Sequence, residues 1–306
     1  MVSMTDFPYI IRNYQPADFE KYALLSREAA KVEPFHRPIS SQSIAEWLAW
    51  PDFSPERDLF VVEIENDIIG YLDIRPELGI GRVVLYCWLR PEHRRRGIAT
   101  KLLDYAMHRA RELGAKTTSV DITEDDPVAR AVLAKLGFKC VHHSLELKLD
   151  ISRIDREEAI QATRGYRHLQ PGDEAGLSEI QNRSFAEHWG YNPNTPEAIT
   201  FLLNLSHRSP EDVILMCRDD KIIGYCWTEI IGEGEGRISM LGSDPDHRGK
   251  GIGKKLLMAG LAYLKDKGAS TVILNVDSEN KAARNLYRSA GFELSKTILT
   301  YEKSVD

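Results

Sequence analysis

Cysteine is scarce in this chain: four among 306 residues, Cys87, Cys140, Cys217 and Cys226. No two have C-x-x-C spacing, which excludes the usual zinc and thioredoxin-type motifs, and four thiols are too few for a disulfide framework. They are expected to be buried free thiols in a reducing compartment. Long apolar runs are also missing. None approaches the ~18 residues that a membrane span requires. The opening stretch, MVSMTDFPYIIRNYQ, has no basic start followed by an apolar core, so no secretory signal is expected and the cytoplasm is the default location. Positive charge is not in excess either. Lys and Arg number 40 against 46 Asp and Glu, a net charge of −6, which argues against a general nucleic-acid binder. No membrane and no metal partner is expected.

What is present is an ordinary globular composition, 42% hydrophobic and 28% charged, in a chain long enough for two domains of about 150 residues each. The chain also repeats itself. IIGY at 68–71 returns at 222–225, and PEHRRRGIATKLL at 91–103 returns as PDHRGKGIGKKLL at 245–257, both at an offset of 154 residues. Gly114-Ala115, Ala129-Arg130 and Gly137-Phe138 keep the same offset from Gly268-Ala269, Ala283-Arg284 and Gly291-Phe292. A period this long marks two copies of a whole domain, not a solenoid. The expected organisation is an N-terminal domain over 1–150, a polar linker over 151–164 that is partly helical, and a C-terminal domain over 165–306.

Within the second copy, strand and helix signals alternate. YRHLQ is a short strand, 173–189 carries Leu177, Ile180 and Phe185 at helical spacing, and 196–205 is a second helix with Pro196 in its first turn. Residues 212–230 hold two strands around a hairpin turn at Asp219-Asp220. A strand over 236–245, an amphipathic helix closed by Gly268, a buried strand STVILNV, a short helix closed by Gly291 and a final strand from Phe292 complete it. The first copy follows the same order. The predicted class is α/β, with a mixed, partly antiparallel sheet and flanking helices in each copy.

One turn invites a chemical reading. DPDHRGKGIGKKLL, 244–257, joins a strand to a helix through Gly249, Gly251 and Gly253. A helix start leaves backbone N–H groups without partners and carries partial positive charge, and glycines let that backbone approach an anion closely. Arg248, Lys250 and Lys254 add charge, so the turn suits a pyrophosphate. The spacing fails Walker A, because Gly249 to Gly253 is one residue short and Lys255 stands where Ser or Thr is needed. It also fails the dinucleotide fingerprint, reading G-x-G-x-G in mid-domain. What remains is R-x-x-G-x-G from Arg248, Gly251 and Gly253. Downstream, NKAARNLYRSAGF at 280–292 fills N-x-x-A-x-x-L-Y-x-x-x-G-F with Asn280, Ala283, Leu286, Tyr287, Gly291 and Phe292.

The two patterns together resemble the GNAT family of N-acetyltransferases, over nearly the whole chain. The tandem arrangement and FAEHWGY at 185–191 also resemble that family's mycothiol synthase branch. The resemblance implies direct acetyl transfer from acetyl-CoA to an amine. It implies a central strand that splays at its end, where Leu241, Gly242 and Ser243 offer backbone groups to pantetheine. It implies a loop of Arg248, Gly249, Lys250, Gly251, Ile252, Gly253 and Lys254 around the pyrophosphate, with Asn280 near the pantetheine. Tyr287 would stand by the sulfur, where a phenol can protonate the departing thiolate. A base is also needed for the acceptor's ammonium proton. The position where many relatives carry glutamate is here Arg237, so Glu235 and then Glu229 are the candidates, with Glu233 close by. His188, Trp189 and Tyr191 fall where acceptor-binding loops are expected, although a packing role for Trp189 is equally consistent.

The first copy departs further. Arg94, Arg95, Arg96, Gly97, Ile98 and Ala99 form an R-x-x-G-x-A loop still compatible with a pyrophosphate, and that role explains the basic run HRRR at 93–96. Leu133 stands where the second copy has Tyr287, and Asp126-Pro127 replaces Asn280-Lys281. This half is expected to be catalytically weak or dead. The expected function is an N-acetyltransferase acting on a small-molecule amine in its C-terminal half. The alternatives are a non-catalytic acyl-CoA-binding regulatory module, or a protein or peptide N-acetyltransferase. Two tandem copies are compatible with a monomer holding an internal pseudo-dimer, or with a weak homodimer.

Overall fold

The computed structural model describes residues 8–31, 40–154, 165–219 and 221–305. Most of the expected linker and Asp220 of the expected hairpin turn lie outside the described residues. Two compact units emerge: one of residues 1–141 with 300–306, the other of residues 142–299.

The first unit runs β1 (Ile10–Asn13), α1 (Phe19–Ala30), α2 (Ser41–Leu48), the single-turn α3 (Pro55–Asp58), β2 (Leu59–Ile64), β3 (Asp67–Glu77), β4 (Arg82–Leu89), α4 (Ile98–Glu112), β5 (Thr117–Thr123) and α5 (Pro127–Lys135). Its strands lie in chain order, antiparallel from β1 to β4, with β5 parallel to β4. Residues 300–304 join this unit. Thr300 Oγ1 donates to Asp121 Oδ1 at 2.6 Å, and Val305 N donates to Lys116 O at 2.9 Å.

The second unit begins with β6 (Lys139–Asp150), which the repeat assigns to the first copy. It continues through β7 (Tyr166–His168), α6 (Glu174–Phe185), α7 (Pro196–Leu203), β8 (Val213–Arg218), β9 (Lys221–Gly232), β10 (Glu235–Ser243), α8 (Ile252–Asp266), β11 (Thr271–Asp277), α9 (Lys281–Ser289) and β12 (Glu293–Ser304). Its order is β7-β8-β9-β10-β11-β6, with β12 next to β6. β10 and β11 pair in parallel, and β6 runs antiparallel to β11 over Ser144–Asp150 against Thr271–Asp277. Each unit is thus a mixed, largely antiparallel sheet with helices.

Burial follows the apolar pattern on both faces of the second sheet. Ile252, Leu256, Leu257, Leu261 and Leu264 of α8 are buried together with Cys226, Ile238, Val272 and Leu274. On the opposite face Leu177 and Ile180 of α6 and Ile199 of α7 cover Tyr225 and Trp227. Gly268, at φ +90°, closes α8: its N–H reaches Lys265 O and the N–H of Ala269 reaches Leu264 O, so the last carbonyls are satisfied. The helix expected from residue 173 ends at Phe185, where the chain turns out towards His188. Among the described residues no helix is long and apolar enough to cross a membrane.

β6 adds Leu147 and Leu149 to the core around α8, and Ile151 follows them into it. A fragment of residues 165–306 therefore loses the antiparallel partner of β11 and three buried aliphatic side chains. Each is worth about 1.5–3 kcal/mol, and the sum rivals the whole stability of a domain, roughly 5–15 kcal/mol. That fragment is expected to be unfolded or aggregated by circular dichroism and gel filtration, whereas one of residues 142–306 recovers helical signal.

Candidate active site

β10 and β11 are joined only over Glu235–Ile238 and Thr271–Leu274. Beyond that, β10 follows β9 as far as Ser243, while β11 follows β6 as far as Asp277. A register shift between Ile238 and Met240 places Ser239 as a bulge where the two strands part, and bulges bend and twist the strand that carries them. The parted stretch Ser239–Ser243 contains Leu241, Gly242 and Ser243. Gly242 has a packing reason: a Cβ there would lie 2.6 Å from Tyr225 Cε1 and 3.0 Å from Ser184.

The loop after Ser243 is built from the sequence upward. Asp244 Oδ1 accepts from Asp246 N at 2.9 Å and forms an ion pair with Arg183 at 3.1 Å, which fixes the turn. Gly249 and Gly251 lie at φ +77° and +76°, with open space around each prospective Cβ, so conformation rather than crowding selects glycine. Gly251 caps α8 without a side-chain acceptor, and Ile252, Gly253 and Lys254 form the uncapped first turn, an anion-binding arrangement. Arg248 is committed inward, donating to Ser184 O at 3.0 Å, and Lys250 Nζ lies 3.3 Å from Asp246 O.

Tyr287 lies on α9 and is 7% exposed, packed edge-on to Phe292 at 5.8 Å. Burial pushes its phenol above the usual tyrosine range, with the Cys226 thiol adding to the shift, so it holds its proton. The Cys226 thiol is itself pushed up to about 12 by burial. Asn280 is the N-cap of the same helix: its Oδ1 accepts from Ala283 N at 3.0 Å, so it positions Tyr287 through the helix.

The carboxylate candidates separate. Glu235 opens β10, opposite Gly232 and 3.7 Å from Lys148 Nζ, on the far side of the paired segment from the loop. Four residues of strand, roughly 13 Å, divide it from the bulge. Glu233 lies in the turn before it. Glu229 is instead at the parting point. It is 4% exposed, accepts from Ser239 Oγ at 3.1 Å, and faces Arg237 across the β9–β10 ladder. His207 Nε2 is 3.4 Å from Glu229 Oε1 and Arg208 is 3.7 Å from Oε2. No sequence motif singles out His207, Arg208 or Ser239; only the fold brings them to Glu229.

The loop after α6 gathers its aromatic residues. Phe185 packs against His188 at 4.6 Å and Tyr191 at 5.4 Å, and Tyr191 donates to Asn182 Oδ1 at 2.9 Å. Trp189 is 42% exposed and stacks flat on His142 at 4.2 Å. His142 Nε2 lies 3.7 Å from Asp277 Oδ1, at the end of β11. The repeat places His142 in the first copy, and only the pairing of β6 with β11 makes it part of this site.

The first unit keeps the backbone and changes the chemistry. β4 and β5 pair only over Arg82–Val84 and Thr117–Ser119 before parting. Its loop retains the left-handed residues: Arg95 at φ +62° matches Gly249, and Gly97 at +78° caps α4 ahead of Ile98 and Ala99. Arg94 Nε donates to Leu89 O and Arg96 to Glu92 O, the latter the counterpart of Lys250 on Asp246. Leu133, also 7% exposed, fills the place of Tyr287.

Comparison with known proteins adds to this geometry. The model of the acetyltransferase (GNAT) family matches residues 22–138 and again 175–292. A mycothiol acetyltransferase of Stackebrandtia nassauensis is 28% identical over 257 residues, covering 82% of this chain and 84% of that protein. Among solved structures, a GCN5-related N-acetyltransferase of Sphaerobacter thermophilus superposes with a TM-score of 0.71 at 23% identity, covering 97% of this chain and 96% of its own. A tandem GNAT protein from the clavulanic acid biosynthesis pathway superposes at 0.75 with 17% identity, covering 98% and 99%. Below a quarter identity such superpositions speak for the fold.

Burial holds the His188 imidazole below the usual histidine range, opposed by the Asp277 carboxylate and reinforced by Arg248. His188 is therefore neutral at pH 7. Asp277→Asn removes the group that favours its charged form, so the titration midpoint followed by NMR should move further down.

Proposed function

The chain belongs to the acetyltransferase (GNAT) family and is an acyltransferase, and from that premise we propose that it moves an acetyl group from acetyl-CoA directly to a primary amine of a small molecule, with the chemistry in its second unit. The observation that carries this reading is the coincidence, in that unit, of parted strands, an uncapped glycine loop and a buried phenol. Left-handed Gly249 and Gly251 fit a pyrophosphate whose oxygens accept from the first turn of α8. The open edge of Leu241–Ser243 fits the amides of a pantetheine arm, since unpaired strand groups need partners.

On this reading the transfer runs as follows. The acceptor nitrogen, once neutral, attacks the thioester carbonyl carbon and the carbonyl π pair moves to oxygen. Collapse of that adduct breaks the C–S bond. Tyr287, held protonated by burial, donates its proton to the departing thiolate and recovers one from the nitrogen. Glu229 is the carboxylate at the parting point, on the proton-accepting side. Glu235, across the paired segment, is left with a surface role. We read the first unit as non-catalytic, because Leu133 has no proton to give, while its loop keeps the anion-binding backbone. The likeness to mycothiol acetyltransferases favours a small-molecule acceptor over a protein one.

Tyr287→Phe is expected to lower kcat for thiol release from acetyl-CoA, with a panel of primary amines, by about 10²–10⁴-fold. Acetyl-CoA binding by calorimetry should change little. Unchanged turnover in this variant would rule out the acid role.

A further inference from the structure

Glu229 is too deeply buried to meet an ammonium group arriving from solvent, yet a more accessible base touches it. His207 lies in the turn between α7 and β8, its side chain 37% exposed against 4% for Glu229, with Nε2 3.4 Å from Glu229 Oε1. We propose that His207 is the general base for the acceptor amine and that Glu229 is its positioning residue; this rests on the acetyl-transfer reading above.

The carboxylate is fixed from several sides. Ser239 Oγ donates to Oε2 at 3.1 Å from the bulge where β10 leaves β11. Arg208, from the same turn as His207, is 3.7 Å from Oε2 and lies over the Trp227 ring at 5.2 Å. Arg237 stands across the ladder on β10. A carboxylate beside Nε2 keeps the proton on that nitrogen, which makes Nδ1 the basic atom and stabilises the imidazolium once it forms. Histidine is also the side chain whose ordinary range suits proton transfer near neutrality. Arg237, at the position where many relatives carry glutamate, cannot accept a proton at all.

The proton balance is complete. The ammonium form of the acceptor gives one proton to His207 Nδ1 and becomes a neutral amine. That amine attacks the thioester, and its nitrogen then carries positive charge. On collapse the nitrogen loses a second proton, which replaces the one Tyr287 delivers to the thiolate. His207 returns the first proton to solvent. The products are the N-acetyl amine, CoA thiol and one proton.

The test uses the full chain, acetyl-CoA and the best amine of the panel, with kcat/KM followed from pH 5 to 9. The wild type is expected to show an acid limb, with activity rising as His207 loses its proton. His207→Gln should lower kcat/KM at pH 7 by about 10²–10⁴-fold and remove that limb. Imidazole in solution should restore part of the activity of His207→Ala. Glu229→Gln should lower kcat/KM through kcat, leave the KM for acetyl-CoA unchanged, and be partly rescued in Glu229→Asp. His207→Gln with wild-type rate and profile, while Tyr287→Phe is impaired, overturns the base assignment alone. Both variants unimpaired overturns the transfer reading with it. Wild-type kcat in Glu229→Gln overturns the positioning role.

Discussion

Everything in the second unit depends on where β10 stops pairing with β11. Backbone N–H and C=O groups require partners, and a strand that leaves its neighbour in mid-sheet exposes an edge that something else must satisfy. The bulge at Ser239 sets that point. On one side of it lie the parted residues and the glycine loop, in line with the end of β10. On the other, Ser239 reaches Glu229, and through Glu229 the turn carrying His207 and Arg208. Tyr287 sits at the base, among Cys226 and Ile238. Moving the parting point by one residue would turn Ser239 to the opposite face, because side chains alternate along a strand, and would break that chain of contacts.

The two units show how far the same backbone can carry different chemistry. Arg95 occupies a left-handed conformation that costs a side-chain-bearing residue about 1–2 kcal/mol, where the second unit uses glycine. The loop keeps the same left-handed turn without the residue best suited to it. On the face that holds Glu229 in the second unit, the first unit places Arg75. This guanidinium is buried, stacks on Trp47 at 4.0 Å and Phe53 at 3.6 Å, and donates to Asp73 at 2.9 Å. Trp47 O also accepts from Arg75, while Arg75 Nε and Asp73 Oδ1 face each other at 2.8 Å as an ion pair without a hydrogen bond. The first unit thus sets its own cation and aromatic rings where the second sets Glu229.

Much of this was legible in the sequence because local chemistry wrote it there. The 154-residue repeat, the glycines forced by positive φ, and the apolar spacing of α8 each have a short-range cause. Asn280 was visible as part of a pattern, and its job as an N-cap follows from its place before a helix. The sequence put Glu235 ahead of Glu229, because it does not tell which end of a strand faces the parting point. His207 and Ser239 belong to no pattern, since the carboxylate they meet lies on a different strand. His142 was assigned to the first copy by the repeat itself. Its place beside Trp189 follows from a strand pairing that no periodicity encodes.

That pairing also gives the first copy a structural part in the second unit. β6 is the last strand of the first copy by sequence, yet its ladder to β11 and its Leu147 and Leu149 complete the second unit's core. The end of β12 answers it in the first unit, where Lys303 Nζ reaches Leu136 O at 2.6 Å and Lys303 O accepts from Thr118. Each unit is finished by a strand that the repeat assigns to the other copy. That structural part does not depend on which side chain stands at Leu133. Loss of the first copy's last strand removes the neighbour of β11 on the side away from β10, and with it the rigid frame against which the two strands part. The last strand of the first copy is therefore part of what holds the second site.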